Sequence, residues 1–383
     1  MTKTYRIGAI GFAHMHINHL LERFAAHPQA ELAACADTTP LAPELREAHY
    51  TRAWNLRHAL QDLGMPKAYD DYRAMLAQES LDIVVVCSEN GQHPAVVEAC
   101  ARQGVHVMIE KPMASSLEDG LRMARAARAA GIELVVNWPI TWQPASHKAK
   151  ELIDSGAIGR VLTVKWRGGH LGPLGAGVSH PGGDEDGQGN PRKLSGVERG
   201  ATWWHQRAAG GGAMLDYCCY GSLVARWLVG EPASAVMGMR ANLYSHWGDA
   251  EDNAAMLIRF PQAMALCEAS WTTRDHGVSP GPIVYGTEGT LVVDKESADQ
   301  PVRVRIERGG GDREYHECSP LPPGRTDIAQ AFIHRLETGD PLHETLALGF
   351  NLDVMAILDA GLRSAESGRL ELVDTEAWRL GGA

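Results

Sequence analysis

The run Val105-His106-Val107-Met108-Ile109-Glu110-Lys111-Pro112 decides the fold, because it joins a short apolar strand to charged residues at its end. A second run, Ile83-Val84-Val85-Val86-Cys87, precedes it and is nearly continuous in β-branched residues, as is typical of a parallel strand buried on both faces. Helical patterns follow both runs. Lys111 therefore stands at the carboxyl end of a strand, where ligands bind in open α/β sheets. Taken alone, however, Glu-Lys-Pro is also a common surface turn.

The first third of the chain alternates strand and helix signals around these runs. Tyr5–Ile10, Glu31–Ala36 and Ile132–Val136 are further runs of strand length, and apolar residues recur at helical spacing between them. This alternation predicts an α/β Rossmann domain, a doubly wound parallel sheet, over residues 1–138.

The pattern changes after about Asn137. From Ala233 onward, short strand signals are separated by turns, and two apolar helical stretches, Ile328–Leu336 and Leu346–Leu362, follow them. Residues 139–383 are therefore predicted to form a second, α+β domain with a mostly antiparallel sheet, which the family resemblance described below implies to be large and open.

The segment 168–200 is rich in glycine, proline and charge, and it is long for a connection without secondary structure. Loops of that length are usually functional lids or disordered. Its polar residues either reach a ligand or are only solvated: His170, His180, Asp184, Glu185 and Asp186.

Composition excludes several classes of partner. The 383 residues carry a formal net charge of -11, which argues against binding to nucleic acid or a membrane surface. No apolar run reaches the roughly 20 residues that a membrane-spanning helix needs, and the N-terminus lacks a signal-peptide pattern. The seven cysteines fall mostly in apolar segments, so they are predicted to be buried free thiols. These features predict a cytoplasmic protein.

Gly11-Phe12-Ala13-His14-Met15-His16 occupies the first strand-to-helix turn. A dinucleotide-binding fold needs small residues there, so that the chain turns sharply, the backbone approaches a pyrophosphate and the helix packs on the strand. Only Gly11 keeps a glycine, because Ala13 and His16 take the places of the other two, and an ordinary βα turn stays an alternative. The His14–His16 pair could bind metal, but without an obvious third ligand we predict no metal site.

Asp37 ends the second predicted strand, where a carboxylate would bind an adenosine ribose. An acidic side chain there repels a 2′-phosphate, and the following Thr38-Thr39-Pro40 offers no arginine to hold one. This arrangement favours NAD over NADP. The alternative for Asp37 is a cap of a turn or helix.

With these segments in place, the chain resembles the glucose–fructose oxidoreductase/inositol dehydrogenase (Gfo/Idh/MocA) family from end to end. Ser88-Glu89-Asn90-Gly91-Gln92-His93 matches the family's T-P-N-x-x-H, and Glu110-Lys111-Pro112 matches its E-K-P. Gly210-Gly211-Gly212, with Asp216 and Tyr220, matches G-G-G-x-x-x-D-x-x-x-H/Y. A late G-T-x-G turn corresponds to Tyr285-Gly286-Thr287-Glu288-Gly289-Thr290.

The resemblance implies a nicotinamide cofactor, a sugar, cyclitol or related polyhydroxy substrate, and a homo-oligomer, dimer or tetramer, formed through the C-terminal sheet. It implies a cis bond between Lys111 and Pro112. The expected catalytic residues are Lys111, Asp216 and Tyr220, the last standing where many members have histidine. The expected cofactor-binding residues are Gly11, Phe12, Ala13, His14, Asp37, Ser88, Asn90, His93, Glu110 and Lys111. His93 could instead serve only to start a helix.

Substrate contacts are expected from Lys111, Asp216 and Tyr220 together with Trp138, Trp203 and His205, since aromatic faces stack on the CH surfaces of sugars. Simple packing is the alternative for Trp203 and His205, and a buried core position is the alternative for Tyr220.

The chemistry of the site can also be argued from the residues. Hydride transfer from a carbinol carbon needs a base for the hydroxyl proton. Asp216 and Tyr220 are four apart and would share one helix face. The pKa of free tyrosine is near 10, and a nearby Lys111 ammonium is expected to lower it.

Three functions fit this pattern. The leading interpretation is an NAD(P)-dependent dehydrogenase of a sugar or cyclitol. The second is an enzyme that uses NAD transiently to cleave a glycoside or eliminate a group. The third is a non-catalytic sugar or nucleotide sensor, which the degraded glycine motif favours and the intact Lys111, Asp216 and Tyr220 oppose.

Overall fold

The computed structural model describes residues 3–42, 46–175, 178–185, 191–275, 279–294 and 301–374. The first half is a six-stranded parallel sheet in the order β3-β2-β1-β4-β5-β6. Its strands are β1 Tyr5–Ile10, β2 Ala30–Ala36, β3 Ala68–Tyr69, β4 Ile83–Val86, β5 His106–Glu110 and β6 Leu134–Asn137. Its helices are α1 His16–Ala25, α2 Arg52–Gln61, α3 Tyr72–Gln78, α4 His93–Arg102 and α5 Leu117–Ala130.

The second half is built on a nine-stranded sheet in the order β16-β15-β14-β13-β7-β12-β11-β10-β17, in which only the β7–β12 pair is parallel. In chain order, the second half begins with α6 Pro144–Asp154, β7 Val161–Gly169, β8 Gly183–Glu185, β9 Pro191–Lys193, α7 Gly196–Gly200 and α8 Cys219–Val229. Strands β8 and β9 pair with each other and lie outside the nine-stranded sheet. The remaining strands are β10 Ala235–Ala241, β11 Asn253–Arg259, β12 Met264–Ser270, β13 Ile283–Gly286, β14 Thr290–Asp294, β15 Arg303–Glu307, β16 Arg313–His316 and β17 Glu371–Leu372, with helices α9 Ile328–Thr338 and α10 Leu348–Ser367.

One face of the large sheet is covered by helices and the other is not. On β10 and β11 the buried residues alternate with exposed ones, and the buried side packs against α10. The contact is close, because a Cβ on Gly238 would lie 2.3 Å from the carbonyl oxygen of Gly361. The opposite side exposes Met237, Met239 and Leu257.

Helix α9 leaves the second half and packs on the first. Its Ile328 and Phe332 are buried in the same apolar cluster as Ile7 and Phe24. The range predicted for the second domain therefore contains a helix that completes the core of the first.

The predicted fold class is confirmed: a Rossmann domain is followed by an α+β unit with a mostly antiparallel open sheet. The segment 168–200 is not structureless where it is described, since it contains the β8–β9 hairpin and α7. Among the described residues, no helix is both long and apolar enough to cross a membrane.

Candidate active site

A cavity of about 420 Å³ lies at the carboxyl edge of the parallel sheet, between the two halves of the chain. Residues from both halves line it, which makes it the natural place for a small ligand. Its polar and aromatic lining includes His14, His16, Lys111, His170, His180, Trp204, Asp216, Tyr217 and Tyr220.

The centre of this site is an ion pair between Lys111 and Asp216. Lys111 directly follows β5, its peptide bond to Pro112 is cis as expected, and only 4% of its side chain is exposed. Its Nζ donates to Asp216 Oδ1 at 2.8 Å and to the Asp216 carbonyl oxygen at 3.1 Å. The other carboxylate oxygen accepts a hydrogen bond from Trp271 Nε1 at 3.0 Å. The carboxylate is therefore held from two sides.

Each charge in this pair stabilises the other. Burial raises the pKa of Asp216, but the Lys111 ammonium and the hydrogen bonds outweigh it, so the net pKa is lowered. Burial likewise lowers the pKa of Lys111, but Asp216 and then Tyr220 raise it well above its ordinary value. The pair is consequently ionised at neutral pH.

A π-helical turn over Met214–Cys218 carries Asp216 and precedes α8. Such wide turns inside helices are frequent at functional sites. Gly212 leads into the turn with φ 114°, and a Cβ there would lie 2.4 Å from Glu251 Oε1. The same Glu251 oxygen accepts from the backbone N–H of Met214 at 3.0 Å. The glycine run thus lets a buried carboxylate fix the start of this turn.

Tyr220 borders the cavity with its ring against Lys111. The Lys111 Nζ lies 4.8 Å from the ring centre, so the ammonium contacts the aromatic face. Burial raises the pKa of Tyr220 well above 10, and the lowering by Lys111 is the smaller effect. The expected net lowering of this pKa is therefore wrong for this arrangement, and Tyr220 is protonated.

The first strand-to-helix turn is sharp and packs closely against the residues that follow β4. Gly11 adopts φ 82°, and a Cβ there would lie 2.5 Å from the backbone nitrogen of Ser88. Phe12 is fully buried, and its N–H donates to Asp37 Oδ1 at 3.0 Å. The N-cap residue of helix α1, Met15, makes no side-chain cap bond, whereas the N–H of His16 donates to His14 Nδ1 at 3.1 Å. The start of such a helix suits a pyrophosphate.

Sequence reasoning found no arginine near Asp37, and the structure corrects this. Arg52, on α2, donates to Asp37 Oδ1 at 2.6 Å and also bonds to Glu89. Both Arg52 and Glu89 are buried. No local signal marks this arginine, because 15 positions separate it from Asp37.

Several of the expected site residues tie the two halves together. Asn90 Nδ2 donates to the Gly210 carbonyl oxygen at 2.8 Å, and Trp203 Nε1 donates to the Ala13 carbonyl oxygen at 3.0 Å. The ring nitrogens of His93 face the carbonyl oxygens of Met113 and Ser88 at 3.1 and 3.2 Å. His93 thus joins the backbones of two loops beside the expected nucleotide site, and it does not line the main cavity.

Three expected substrate contacts do not line the cavity: Trp138, Trp203 and His205. Trp138 lies behind Tyr220, at 5.5 Å between ring centres, and its Nε1 donates to Asn351 at 2.7 Å. His205 is buried between Trp247 and Trp271.

Other aromatic and imidazole side chains line the cavity in place of the expected ones. Tyr217 follows Asp216 directly, and its ring lies 5.2 Å from that of His170. His170 Nδ1 accepts from the Gly172 N–H at 2.9 Å, which leaves its Nε2 to carry the proton of a neutral ring. His180 also lines the cavity, whereas Asp186 lies outside the described residues.

A Rossmann half, a sharp strand-to-helix turn and a buried lysine–carboxylate pair facing a cavity are together typical of an oxidoreductase. Residues 5–138 match the model of the oxidoreductase family with an NAD-binding Rossmann fold, and residues 146–292 match the GFO/IDH/MocA C-terminal domain.

Curated relatives agree with these matches. D-xylose 1-dehydrogenase (NADP(+)) 2 of Haloferax volcanii is 29% identical over 315 residues, covering 80% of this chain and 85% of the relative. Myo-inositol 2-dehydrogenase of Thermotoga maritima is 24% identical over 344 residues, covering 88% and 89%. The solved aldose-aldose oxidoreductase of Caulobacter crescentus, complexed with glycerol, shares the fold with a TM-score of 0.74 at 24% identity, covering 97% of this chain and 100% of that chain.

The chain belongs to the GFO/IDH/MocA family of oxidoreductases. It is accordingly a nicotinamide-dependent enzyme of the dehydrogenase and reductase type.

Proposed function

We propose that this enzyme transfers hydride between a nicotinamide cofactor and a carbinol carbon of a sugar, cyclitol or related polyhydroxy compound. The observation that carries the proposal is the buried Lys111–Asp216 pair in the wall of the cavity, beside Tyr220. The names of the curated relatives, a xylose dehydrogenase and an inositol dehydrogenase, support this class of substrate.

Each group has a distinct task. Bound nicotinamide supplies or accepts the hydride. Lys111 donates a hydrogen bond to the reacting oxygen of the substrate, and Asp216 keeps the ammonium charged and aimed at that oxygen. In the direction of reduction, protonated Tyr220 donates its proton to the same oxygen as hydride reaches the carbon. In the direction of oxidation, Tyr220 first loses this proton to solvent, and its phenolate then accepts the hydroxyl proton of the substrate. His170 Nε2–H donates to a neighbouring hydroxyl, while Trp204 and Tyr217 offer apolar faces to the substrate's CH groups.

The residues expected at the nucleotide fit a dinucleotide. Gly11 gives the tight turn, Phe12 and Ala13 present backbone at the start of α1, and Asp37 stands at the end of β2 for the ribose hydroxyls. Ser88, Asn90, His93 and Glu110 border the neighbouring strand ends.

NAD is the preferred cofactor in this proposal, because Asp37 repels a 2′-phosphate. Arg52, the nearest cation, bonds to both Asp37 and Glu89 and so has its charge neutralised. The haloarchaeal relative is named for NADP(+), so cofactor preference has to be measured directly.

The uncovered face of the large sheet supports a homo-oligomer. Met237 on β10 pairs with Leu257 on β11, and both are exposed, as is Met239. A contiguous apolar surface of this kind marks a protein interface. Light scattering should give a dimer or tetramer for the wild type and a smaller species for Met239→Asp combined with Leu257→Asp.

The test of the activity follows the absorbance of reduced nicotinamide with NAD or NADP and a panel of sugars, cyclitols and sugar acids. Lys111→Ala and Tyr220→Phe should each suppress turnover. Lys165 and Tyr285 form a matched pair elsewhere, with the Lys165 Nζ 5.0 Å from the Tyr285 ring centre, so Lys165→Ala and Tyr285→Phe serve as controls.

Full activity of Lys111→Ala would refute the assigned site. Bond cleavage of a glycoside with tightly retained cofactor and no net reduced nicotinamide would instead identify the transient-redox alternative.

A further inference from the structure

Two histidines and a glutamate meet beside the cavity. His14 and His16 lie at the start of α1, and Glu110 ends β5. One ligand atom from each of the three lies within 4.8 Å of the other two. The His16 Nδ1 and Glu110 Oε1 atoms are 3.0 Å apart, and the two imidazole rings lie 4.3 Å apart between centres.

The fold explains why these residues meet. Strands β1 and β5 lie on either side of β4, so their carboxyl ends share one edge of the sheet. Glu110 therefore supplies the third ligand that the His14–His16 pair lacks in sequence. Because 94 positions separate Glu110 from His16, no local spacing reveals the group.

A second observation points to a ligand at this cluster. Glu110 is 1% exposed, yet its Oε2 has no hydrogen-bond partner among the described residues. A buried carboxylate oxygen without a partner is costly, and such groups call for an explanation such as an ion or a water. The Glu110 carboxylate lies beside two imidazoles, which are themselves metal ligands.

We propose that His14, His16 and Glu110 bind one divalent transition-metal ion of the Zn²⁺ type. Two imidazoles and one carboxylate form a donor set that holds zinc in catalytic sites and leaves one position open. The 3.0 Å between His16 Nδ1 and Glu110 Oε1 suits two ligands of one ion as well as a hydrogen bond. At His14, the ion would replace the weak contact of Nδ1 with the His16 N–H at 3.1 Å.

The surroundings tolerate the added charge. Lys111 is the nearest cation in sequence, but its charge is balanced by Asp216. The ring of His180 lies 5.3 Å from that of His16, beside the three proposed ligands. Since His14 and His16 line the cavity, the open position would face it and take a water or a substrate oxygen.

The test measures metal binding by the full-length protein and needs no turnover, so its failure leaves the proposed oxidoreductase activity untouched. Chelator-stripped protein is titrated with Zn²⁺ against a chromogenic competitor. The expected result is one ion per chain, with affinity reduced at least about 100-fold in His16→Ala and in the isosteric Glu110→Gln, since each removes a ligand.

His58→Ala is the matched control, because His58 forms a histidine–carboxylate pair with Asp62 at 2.7 Å at a different site, on α2. Equal Zn²⁺ affinity in the wild type and both variants, or no stoichiometric binding by the wild type, would overturn the proposal.

X-ray absorption at the zinc edge of the wild type provides a second measurement that does not depend on the variants folding. Two imidazole nitrogens with oxygen in the first shell would support the site. Sulfur ligation, or a shell of oxygen without imidazole, would overturn it.

Discussion

Replacing Asp216 with asparagine tests the ion pair at the centre of the site. The substitution keeps the shape of the side chain and removes its charge, which leaves Lys111 as a buried ammonium with 4% of its side chain exposed. At 2.8 Å and an effective dielectric constant of 20, the attraction lost is about 6 kcal/mol. Part of it is offset by the desolvation cost of the pair, and breaking such buried pairs typically costs about 3–5 kcal/mol.

We therefore expect Asp216→Asn to lose about 3 kcal/mol of stability and at least about 100-fold in kcat/KM, because the lysine loses its fixed position. Thermal unfolding measures the first effect and steady-state kinetics the second. The control is Asp353→Asn, which breaks the pair of Arg226 Nε with Asp353 Oδ2 at 2.9 Å, also with little exposure. It should lose similar stability and keep its activity.

Three results would refute the reasoning: an Asp216→Asn variant that is as active as the wild type, one that unfolds at the wild-type temperature, or an Asp353→Asn variant that loses as much kcat/KM as Asp216→Asn. The first would show that Asp216 does not position Lys111. The last would show that the loss follows general destabilisation and not the site.

Three further substitutions have defined outcomes. Asp37→Ser should raise the ratio of kcat/KM with NADP to kcat/KM with NAD by about 100-fold. The substitution removes a repulsion of about 3 kcal/mol between the Asp37 carboxylate and a 2′-phosphate at roughly 5 Å, and it also removes one partner of Arg52. An unchanged ratio would show that Asp37 does not set the preference. Tyr220→Phe should lower kcat about 100-fold with little change in KM, because the ring stays against Lys111, and a rise in KM alone would contradict a proton-transfer role. Burial lowers the pKa of His205 from 6.5 to about 4, so between these pH values the unfolded chain binds a proton at this residue that the folded protein does not. The folded state is therefore destabilised progressively as the pH falls from 6.5 toward 4. His205→Phe should therefore reduce acid destabilisation in urea titrations by up to about 3 kcal/mol, whereas an identical pH profile would exclude His205 as its source.

The positions of the strand-end residues could be predicted from the sequence because parallel strands present their carboxyl ends at one edge. This rule alone brings Gly11, Asp37 and Lys111 to the same side of the sheet. The alternation of apolar runs with helical spacing was sufficient for the fold class, including the change to an antiparallel sheet in the second half.

The remaining features depend on tertiary packing. Arg52 meets Asp37 only because α2 packs beside the end of β2, and nothing in the local sequence fixes that distance. Trp138 resembles a cavity residue by position, but its indole turns toward Asn351 on α10. The raised pKa of Tyr220 reflects desolvation of its hydroxyl by the surrounding residues, which the spacing of Asp216 and Tyr220 does not reveal.

The return of α9 to the first half has a consequence for dividing the chain. A fragment that stops after β6 would lack Ile328 and Phe332 and would leave the apolar face around Ile7 and Phe24 open to water. Such a fragment would aggregate or bind nonspecifically, although its parallel sheet would be complete. The chain also passes from one half to the other more than once, so the two halves cannot swing freely about a single linker.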